Sequence, residues 1–329
     1  MITERLKKNR DRLRSYLSGG GGFGGGAASI EAYRLYDRDI PEYPYIVDVY
    51  QKYLVVYEKG RSDVDENLQA KHFNELMEGL KTLFPYDENI IVKKRQIQDH
   101  ENFQYQRLQT SNKFFPIVEG NAKFLVNVHD YIDTGLFLDQ RPLRFRLYKE
   151  VNKGMKVLNL FSYTASFSVV AALKGAQTVS VDWSNTYQNW ACENFKLNSL
   201  NENEHQFINS DVVTFLEQCR RNNEYLNYFD VIIIDPPTFS NSKKRKAVFS
   251  DREYFDVQRD HKLVIELALP LLKSGDHSGR IFFSTNKRDF KISSDLADEM
   301  KVVVKDITKQ TIPADFRDQK IHHAYLITS

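Results

Sequence analysis

Cysteine is scarce. Only Cys192 and Cys219 occur in 329 residues, so neither a disulfide framework nor a four-thiolate zinc site can be built. Long apolar runs are missing too. Clean aliphatic stretches such as Val231 to Ile234 fall far short of the roughly twenty residues a membrane-spanning helix needs. Nor is there an excess of one charge: 46 Lys and Arg face 44 Asp and Glu, a net of +2. This excludes a uniformly basic coat for nucleic acid but leaves room for a local basic face. Met1 to Arg14 is charged throughout and lacks the apolar segment of a signal peptide, so the expectation is a cytoplasmic protein without membrane association. What is present is ordinary for a folded chain, with 41% hydrophobic and 27% charged residues. The length suits about two domains.

Residues 1 to about 18 predict a basic helix carrying Arg5, Lys7, Lys8, Arg10, Arg12 and Arg14. A solvated face and an RNA-contacting arm are equally good readings of it. Seven glycines follow between Gly19 and Gly26, broken by Phe23. They contain a formal G-x-G-x-x-G, but no strand precedes it and no amphipathic helix follows, so a linker is expected. From Tyr33 to about Val128 the pattern is strand-rich. Tyr45 to Tyr50 and Tyr53 to Tyr57 read as a hairpin, and Phe73, Leu76, Met77, Leu80 and Phe84 fall on one helical stripe. Ile90 to Lys93, Phe115 to Val118 and Phe124 to Val128 return to strand character.

After Arg141 strands alternate with helices. Strands are expected at Lys156–Phe161, Thr178–Val181, Gln206–Asn209, Val231–Ile234 and Arg280–Ser284. Helices are expected at Ala165–Leu173, Asn185–Leu197, Val212–Arg221 and Phe255–Leu272, with Val302–Ile307 and His322–Ile327 closing an antiparallel edge. Such alternation builds an α/β fold, a mostly parallel sheet covered on both faces, with ligands at the carboxyl ends of its strands. The division expected is 1–30 helix and linker, 31–130 a small α+β accessory domain, and 131–329 the α/β domain.

The strand ends carry the chemistry. The first is Asn159-Leu-Phe-Ser-Tyr-Thr-Ala165, a small and hydroxyl-rich turn into a helix whose amides can face a ligand. It has no glycine triplet, which argues against a pyrophosphate-bearing dinucleotide. The second ends in Asp182, placed to accept both hydroxyls of a ribose, and the third in Asp211, placed to reach an adenine amino group. Either Asp alone is as readily a helix cap. The fourth is Asp235-Pro236-Pro237-Thr238-Phe239, whose prolines forbid regular continuation and set a rigid elbow.

These four motifs resemble those of class I S-adenosylmethionine-dependent methyltransferases. Tyr33-Arg-Leu-Tyr-Asp-Arg-Asp-Ile-Pro-Glu-Tyr43, Asp133-Thr-Gly-Leu-Phe-Leu-Asp139, Phe255-Asp-Val-Gln-Arg-Asp-His261 and Asn286-Lys-Arg288 further resemble the guanine-N7 methyltransferase half of the bacterial RlmKL fusion, which modifies large-subunit ribosomal RNA. The resemblance runs from about residue 31 to the end. It implies a Rossmann-like sheet with its last strand antiparallel, S-adenosylmethionine as cofactor and S-adenosylhomocysteine as product. It also implies a guanine-N2 methyltransferase partner, fused or separate. Asp182 would hold the ribose, Asp211 the adenine, and the Phe161, Ser162, Tyr163 and Thr164 turn with Asn159 the methionine end. Asp133 to Arg141, with Asp139, would cover the cofactor, and Asp235 would face both cofactor and base. Ala165 departs from the family's usual Gly, and the glycine-rich insert is foreign to its pattern.

Guanine N7 offers an in-plane lone pair and no proton, so no general base is needed and none of the eight histidines requires a role. Pro236 and Pro237 would aim Asp235 at the N1–H or N2–H₂ edge while Phe239 stacks on a flipped base. Cytosine C5 methylation needs a thiolate near the fourth or sixth strand end, and Ser284-Thr-Asn-Lys287 offers none. Guanine N2 methylation, a small-molecule methyltransferase and a non-catalytic cofactor- and RNA-binding scaffold remain alternatives. Local charge favours RNA: Lys243, Lys244, Arg245 and Lys246 follow the elbow, Lys287, Arg288 and Lys291 follow the sixth strand, and Lys93, Lys94 and Arg95 lie in the small domain near Phe103, Tyr105 and Arg107. No metal is expected, because His322 and His323 are adjacent and point apart on a strand.

Overall fold

A computed structural model describes residues 1–18, 29–59, 65–84, 89–95, 111–241, 254–275 and 279–328. The chain forms two compact units. One comprises Met1–Leu138 with Pro313–Asp318, the other Asp139–Ile312 with Gln319–Ser329. The boundary thus falls at Leu138/Asp139, and six residues from far down the chain belong to the first unit.

The first unit opens with α1 (Ile2–Ser18), β1 (Ser29–Ile30), β2 (Ala32–Asp37), β3 (Tyr45–Tyr50) and β4 (Tyr53–Lys59). Then come α2 (Glu66–Leu83), β5 (Ile90–Arg95), β6 (Phe115–Gly120) and β7 (Ala122–Val126). β2 to β5 make a four-stranded sheet in chain order, and β1, β6 and β7 a three-stranded one. β4 and β5 are parallel, which is why α2 must cross between them. The basic helix is neither free arm nor separate segment: Ile2, Leu6, Asn9 and Leu13 lie on one buried face of α1. Ile2 and Leu6 share a core with Leu35, Val47, Leu76 and Leu80. α1 and α2 approach so closely that a Cβ on Gly79 would lie 2.8 Å from Thr3 Oγ1.

The Tyr33–Tyr43 motif has a structural use. Asp37 accepts the backbone amides of Arg317 and Asp318, each at 3.1 Å. Arg34 donates its amide to Asp315 at 2.9 Å, pairs with Asp48 at 2.8 Å and lays its guanidinium 4.1 Å from the Phe316 ring centre. Arg38 meets Asp318 at 3.1 Å. These bonds strap Pro313–Asp318 into the first unit.

The second unit contains α3 (Arg141–Glu150), β8 (Lys156–Leu160), α4 (Ser166–Ala172), β9 (Gln177–Asp182), α5 (Asn185–Leu197), β10 (Gln206–Asn209) and α6 (Val212–Asn222). It continues with β11 (Val231–Ile234), β12 (Phe239–Asn241), β13 (Tyr254–Asp256), α7 (Val257–Ala268), β14 (Arg280–Thr285), α8 (Leu296–Met300), β15 (Val303–Asp306), α9 (Thr308–Thr311) and β16 (His323–Thr328). Seven strands order as β10-β9-β8-β11-β14-β16-β15, with β16 antiparallel to both its neighbours. Alternation sorts the core. Leu158, Leu160, Ile232, Ile234 and Phe283 face α6 and α7, whereas Val157, Val231, Ile233 and Phe282 pack with Leu143, Leu147 and Phe167 on the other side. Each such side chain contributes about 1.5–3 kcal/mol. The long helix expected from Phe255 to Leu272 is shorter: Tyr254–Asp256 pairs with β12, and Pro270 makes the last turn a 3₁₀ segment, Leu269–Leu271.

Asp130 pins the start of β6 in the first unit. It accepts from Ser111 N (2.9 Å), Ser111 Oγ (2.6 Å), Asn112 N (2.8 Å) and Asn127 Nδ2 (2.9 Å). Burial would raise its carboxyl, but these donors outweigh it and hold it at about 2. A depressed acid contributes stability above its unfolded pKa of about 4 and loses it as pH falls through the folded value. Asp130→Asn is therefore expected to cost about 1–3 kcal/mol at pH 7. Thermal melts between pH 4 and 2 should decline less steeply for the variant than for the wild type.

Candidate active site

The winding of the seven-stranded sheet reverses between β8 and β11, where successive crossovers run to opposite sides and leave a crevice at the strand ends. Leu160 and Ile234 are partners in that pairing. The chain therefore leaves the two strands at one level, as Phe161–Ala165 and as Asp235–Phe239.

The first exit is a tight turn with Phe161 (φ 57°), Tyr163 (φ 51°) and Ala165 (φ 59°) in the left-handed region. Each costs about 1–2 kcal/mol for a residue with a Cβ. Bonds from all sides hold it: Ser162 N to Val181 O (3.0 Å), Ala165 N to Ser162 O (2.7 Å), Tyr163 N to Asp182 Oδ2 (2.8 Å) and Asn194 Nδ2 to the Thr164 carbonyl (2.9 Å). Asp182 Oδ1 accepts Ser184 N at 2.8 Å. Burial pushes the Asp182 carboxyl up to about 6 against the pull of those two amides. Ser162 Oγ is buried and has no hydrogen-bond partner among the described residues.

Other residues expected here also make contacts within the fold. Asn159 is buried and donates to Ser168 Oγ at 2.9 Å, and Ser168 meets Ser180 at 2.7 Å, so its side chain ties β8, α4 and β9 together beneath the turn. The Phe161 ring lies 5.2 Å from that of Phe255, on the core. Thr164 is fully buried. Asp211 caps α6, accepting Thr214 N at 3.1 Å.

The second exit centres on Asp235. Its Oδ1 accepts Ser284 Oγ at 2.6 Å and Gln140 Nε2 at 3.3 Å. Burial pushes its carboxyl up to about 6; the Ser284 hydrogen bond opposes this, Asp139 adds to it, and His322 and Arg144 counter it. Pro236 and Pro237 carry the chain to Thr238, which donates to Asn286 Oδ1 at 2.7 Å and so ties the elbow to the loop after β14. Phe239 begins β12, and Lys287 Nζ sits 5.5 Å from its ring centre. Lys287 also pairs with Asp289 at 3.5 Å, and Arg288 is exposed.

Asp139 is bonded to His322 Nδ1 at 2.9 Å, while His322 Nε2 lies 3.0 Å from Thr311 Oγ1. His322 is fully buried. The outward turn of His323, which reaches the Arg288 carbonyl at 3.1 Å, lets its neighbour point inward to this structural pairing. Sequence marks Ser284 only by the absence of cysteine there. Gln140 lay inside the Asp133 to Arg141 stretch without being singled out.

The basic residues divide. Lys93, expected on an RNA face, is instead buried in the first unit, donating to the carbonyls of Tyr131 (2.5 Å) and Ile132 (3.1 Å). An ammonium in that position offers phosphate nothing. The side chains of Lys94 and Arg95, all of Lys243 to Lys246, and Phe103, Tyr105 and Arg107 lie outside the described residues. Among the described residues no cluster of three or more His, Cys, Asp or Glu could hold a metal ion, and no helix is long and apolar enough to cross a membrane.

Residues 86–269 match a family model described as S-adenosylmethionine-dependent methyltransferase. The chain belongs to that family. Among curated relatives, this methyltransferase is similar to the ribosomal RNA large subunit methyltransferase K/L of Colwellia psychrerythraea, at 42% identity over 99% of this chain and 43% of that one. The enzymes of the same name from Legionella pneumophila (39%) and Shewanella loihica (40%) have the same coverage. The chain thus spans less than half the length of the relatives it matches. Of solved structures, a SAM-dependent methyltransferase from Streptococcus mutans aligns with a TM-score of 0.73 and 25% identity, covering 100% of this chain and 81% of that one. A methyltransferase complexed with SAH has the same TM-score and coverage at 23% identity.

The methyltransferase's cofactor is S-adenosylmethionine, and the residues present fit it. Ser162 Oγ, a buried hydroxyl without a partner among the described residues, sits in a turn that begins beside Asp235 and is bonded to Asp182. Ala165 tests the strain in that turn. Glycine adopts its left-handed conformation without penalty, while the lost methyl forfeits up to about 0.8 kcal/mol. Ala165→Gly is expected to leave stability unchanged or raise it by up to about 1 kcal/mol, and Ala165→Val to lower it, as read by urea denaturation.

Proposed function

We propose that this methyltransferase transfers a methyl group to N7 of a guanine in large-subunit ribosomal RNA, in the bacterial cytoplasm. The observation that carries the reading is the Asp235–Phe239 elbow, a half-buried acid followed within one turn of chain by an aromatic residue at the sheet's switch point. The names of the curated relatives supply the RNA. Their unmatched length leaves room for a guanine-N2 methyltransferase, fused or separate, as partner.

S-adenosylmethionine supplies an electrophilic methyl on a sulfonium. The guanine N7 lone pair forms the new N–C bond as the S–C bond breaks, leaving S-adenosylhomocysteine and a cationic base. No proton moves, so catalysis is positioning and electrostatics. Asp182 holds the ribose, Asp211 the adenine, and the Phe161–Thr164 turn the methionine end, with Asp139 at the cover. Asp235 accepts from the guanine N1–H or N2–H₂ edge and Phe239 stacks on the ring. Lys287 and Arg288, with Lys243–Lys246, meet phosphates, and RNA binding should weaken with salt. The cytosine C5 reading lacks its nucleophile. Cys219 is buried on α6 with its thiol pushed up to about 12 by burial, and burial raises Cys192 on α5.

The test is incubation of the protein with labelled S-adenosylmethionine and large-subunit RNA lacking its modifications, followed by nucleoside mass spectrometry. 7-Methylguanosine is the expected product; 5-methylcytidine or N2-methylguanosine overturns the assignment. Asp235→Ala should lower kcat/KM by about 100-fold or more while calorimetry shows S-adenosylhomocysteine affinity within a few-fold of wild type. Asp182 and Asp235 are both raised to about 6, so each is charged above that pH and neutral below it. A pH–rate profile should show kcat/KM falling on the acid side of about 6, with cofactor affinity falling in parallel as Asp182 takes up its proton.

A further inference from the structure

We propose that Gln140 is a base-reading residue: its Oε1 accepts one of the two adjacent N–H groups of the target guanine while Asp235 Oδ2 accepts the other. This deepens the guanine reading and rests on it.

Gln140 occupies the N-cap position of α3 but makes no capping bond with its side chain. Pro142 in the first turn removes one amide that would need such a partner. The side chain turns instead to Asp235, donating Nε2 to Oδ1 at 3.3 Å. Gln140 is 3% exposed, and its Oε1 is buried without a hydrogen-bond partner among the described residues. A buried carbonyl left unsatisfied is costly, and an internal bond would have removed that cost. The amide orientation follows from its neighbour, because the reversed form would set Oε1 against an Oδ1 that already accepts from Ser284 at 2.6 Å.

Asp235 is bonded on Oδ1 by both its described partners, and Oδ2 takes neither bond. The Nε2–Oδ1 contact makes the two side chains neighbours, and each keeps one acceptor for a ligand. Guanine alone among the RNA bases presents two adjacent N–H donors on one edge, N1–H and N2–H₂. Adenine and cytosine set a donor beside an acceptor nitrogen, and uracil flanks its one N–H with carbonyls. Paired acceptors therefore select guanine by leaving a lone pair opposed or unpaired with any other base. N7 lies on the opposite edge of the purine, so a grip on N1–H and N2–H₂ leaves the methyl acceptor clear.

The experiment uses the full chain with S-adenosylhomocysteine bound. The probe is a fluorescent RNA carrying guanosine, inosine or 2-aminopurine at the nucleotide located by the mass-spectrometric mapping above. Inosine lacks N2–H₂ and 2-aminopurine lacks N1–H. Anisotropy titration of the wild type should favour guanosine over each by about 10-fold or more. Gln140→Met, which keeps the volume but removes the acceptor, should bind guanosine and one analogue within about twofold, with S-adenosylhomocysteine affinity unchanged. Gln140→Leu serves if the methionine variant does not fold, and Gln140→Glu, which retains an acceptor, should keep the preference for guanosine. The proposal is overturned if loss of the acceptor leaves both preferences intact, whether or not cofactor affinity falls. Failure of the guanine reading is separate: it shows in the wild type, as absence of 7-methylguanosine.

Discussion

The register between β8 and β11 is the constraint on which the site depends. Leu160 sits opposite Ile234, and the four residues of β11 are buried on both faces. A slip of one residue would turn every side chain of that strand to the wrong layer. It would also move Asp235 away from the strained turn that starts at Phe161. Pairing of β11 with both β8 and β14 thus sets where three polar groups meet, Asp235, Ser284 and the Phe161–Ala165 turn. The chemistry of the crevice follows from hydrophobic packing beneath it.

That crevice is maintained at a cost. Asp182 and Asp235 are both buried enough to be raised to about 6. A raised acid binds its proton more tightly in the folded state than in the unfolded one, so the stability contributed by each declines as pH climbs from about 4 through 6. Near neutrality the crevice carries two carboxylates whose charge burial opposes, together with Phe161, Tyr163 and Ala165 in the left-handed region and, among the described residues, Ser162 Oγ and Gln140 Oε1 buried without partners. Unpaired and strained groups gathered at one strand edge mark a surface shaped for something other than its own stability.

The alternation of strands and helices after Arg141 made the parallel sheet legible, because buried strands read as short apolar runs and their helices as amphipathic stretches. The strand-end acids were legible for the same reason. What could not be read was the direction of each polar side chain. Asn159 and Phe161 stand within three residues of Ser162 in the chain, yet one bonds beneath the turn and the other packs on Phe255. Lys93 belongs to a basic run, but the carbonyls of Tyr131 and Ile132 draw it inward. Pairings across long separations were equally hidden: Asp139 with His322 and Gln140 with Asp235 join residues that no local pattern connects. The helix at the start read as a charge run, although its apolar residues recur at the spacing of a buried stripe.

The strap at Pro313–Asp318 has a consequence for biosynthesis. Asp37 and Arg34 lie near the beginning of the chain, yet the residues they hold belong near its end. A ribosome adding about 5–20 residues per second releases those partners only after Asp139–Ile312 has been translated. For that interval, roughly ten to forty seconds after Leu138 is made, the first unit exists with its docking charges unmet. The nascent chain thus receives the last residues of its first unit only after most of the second has been made.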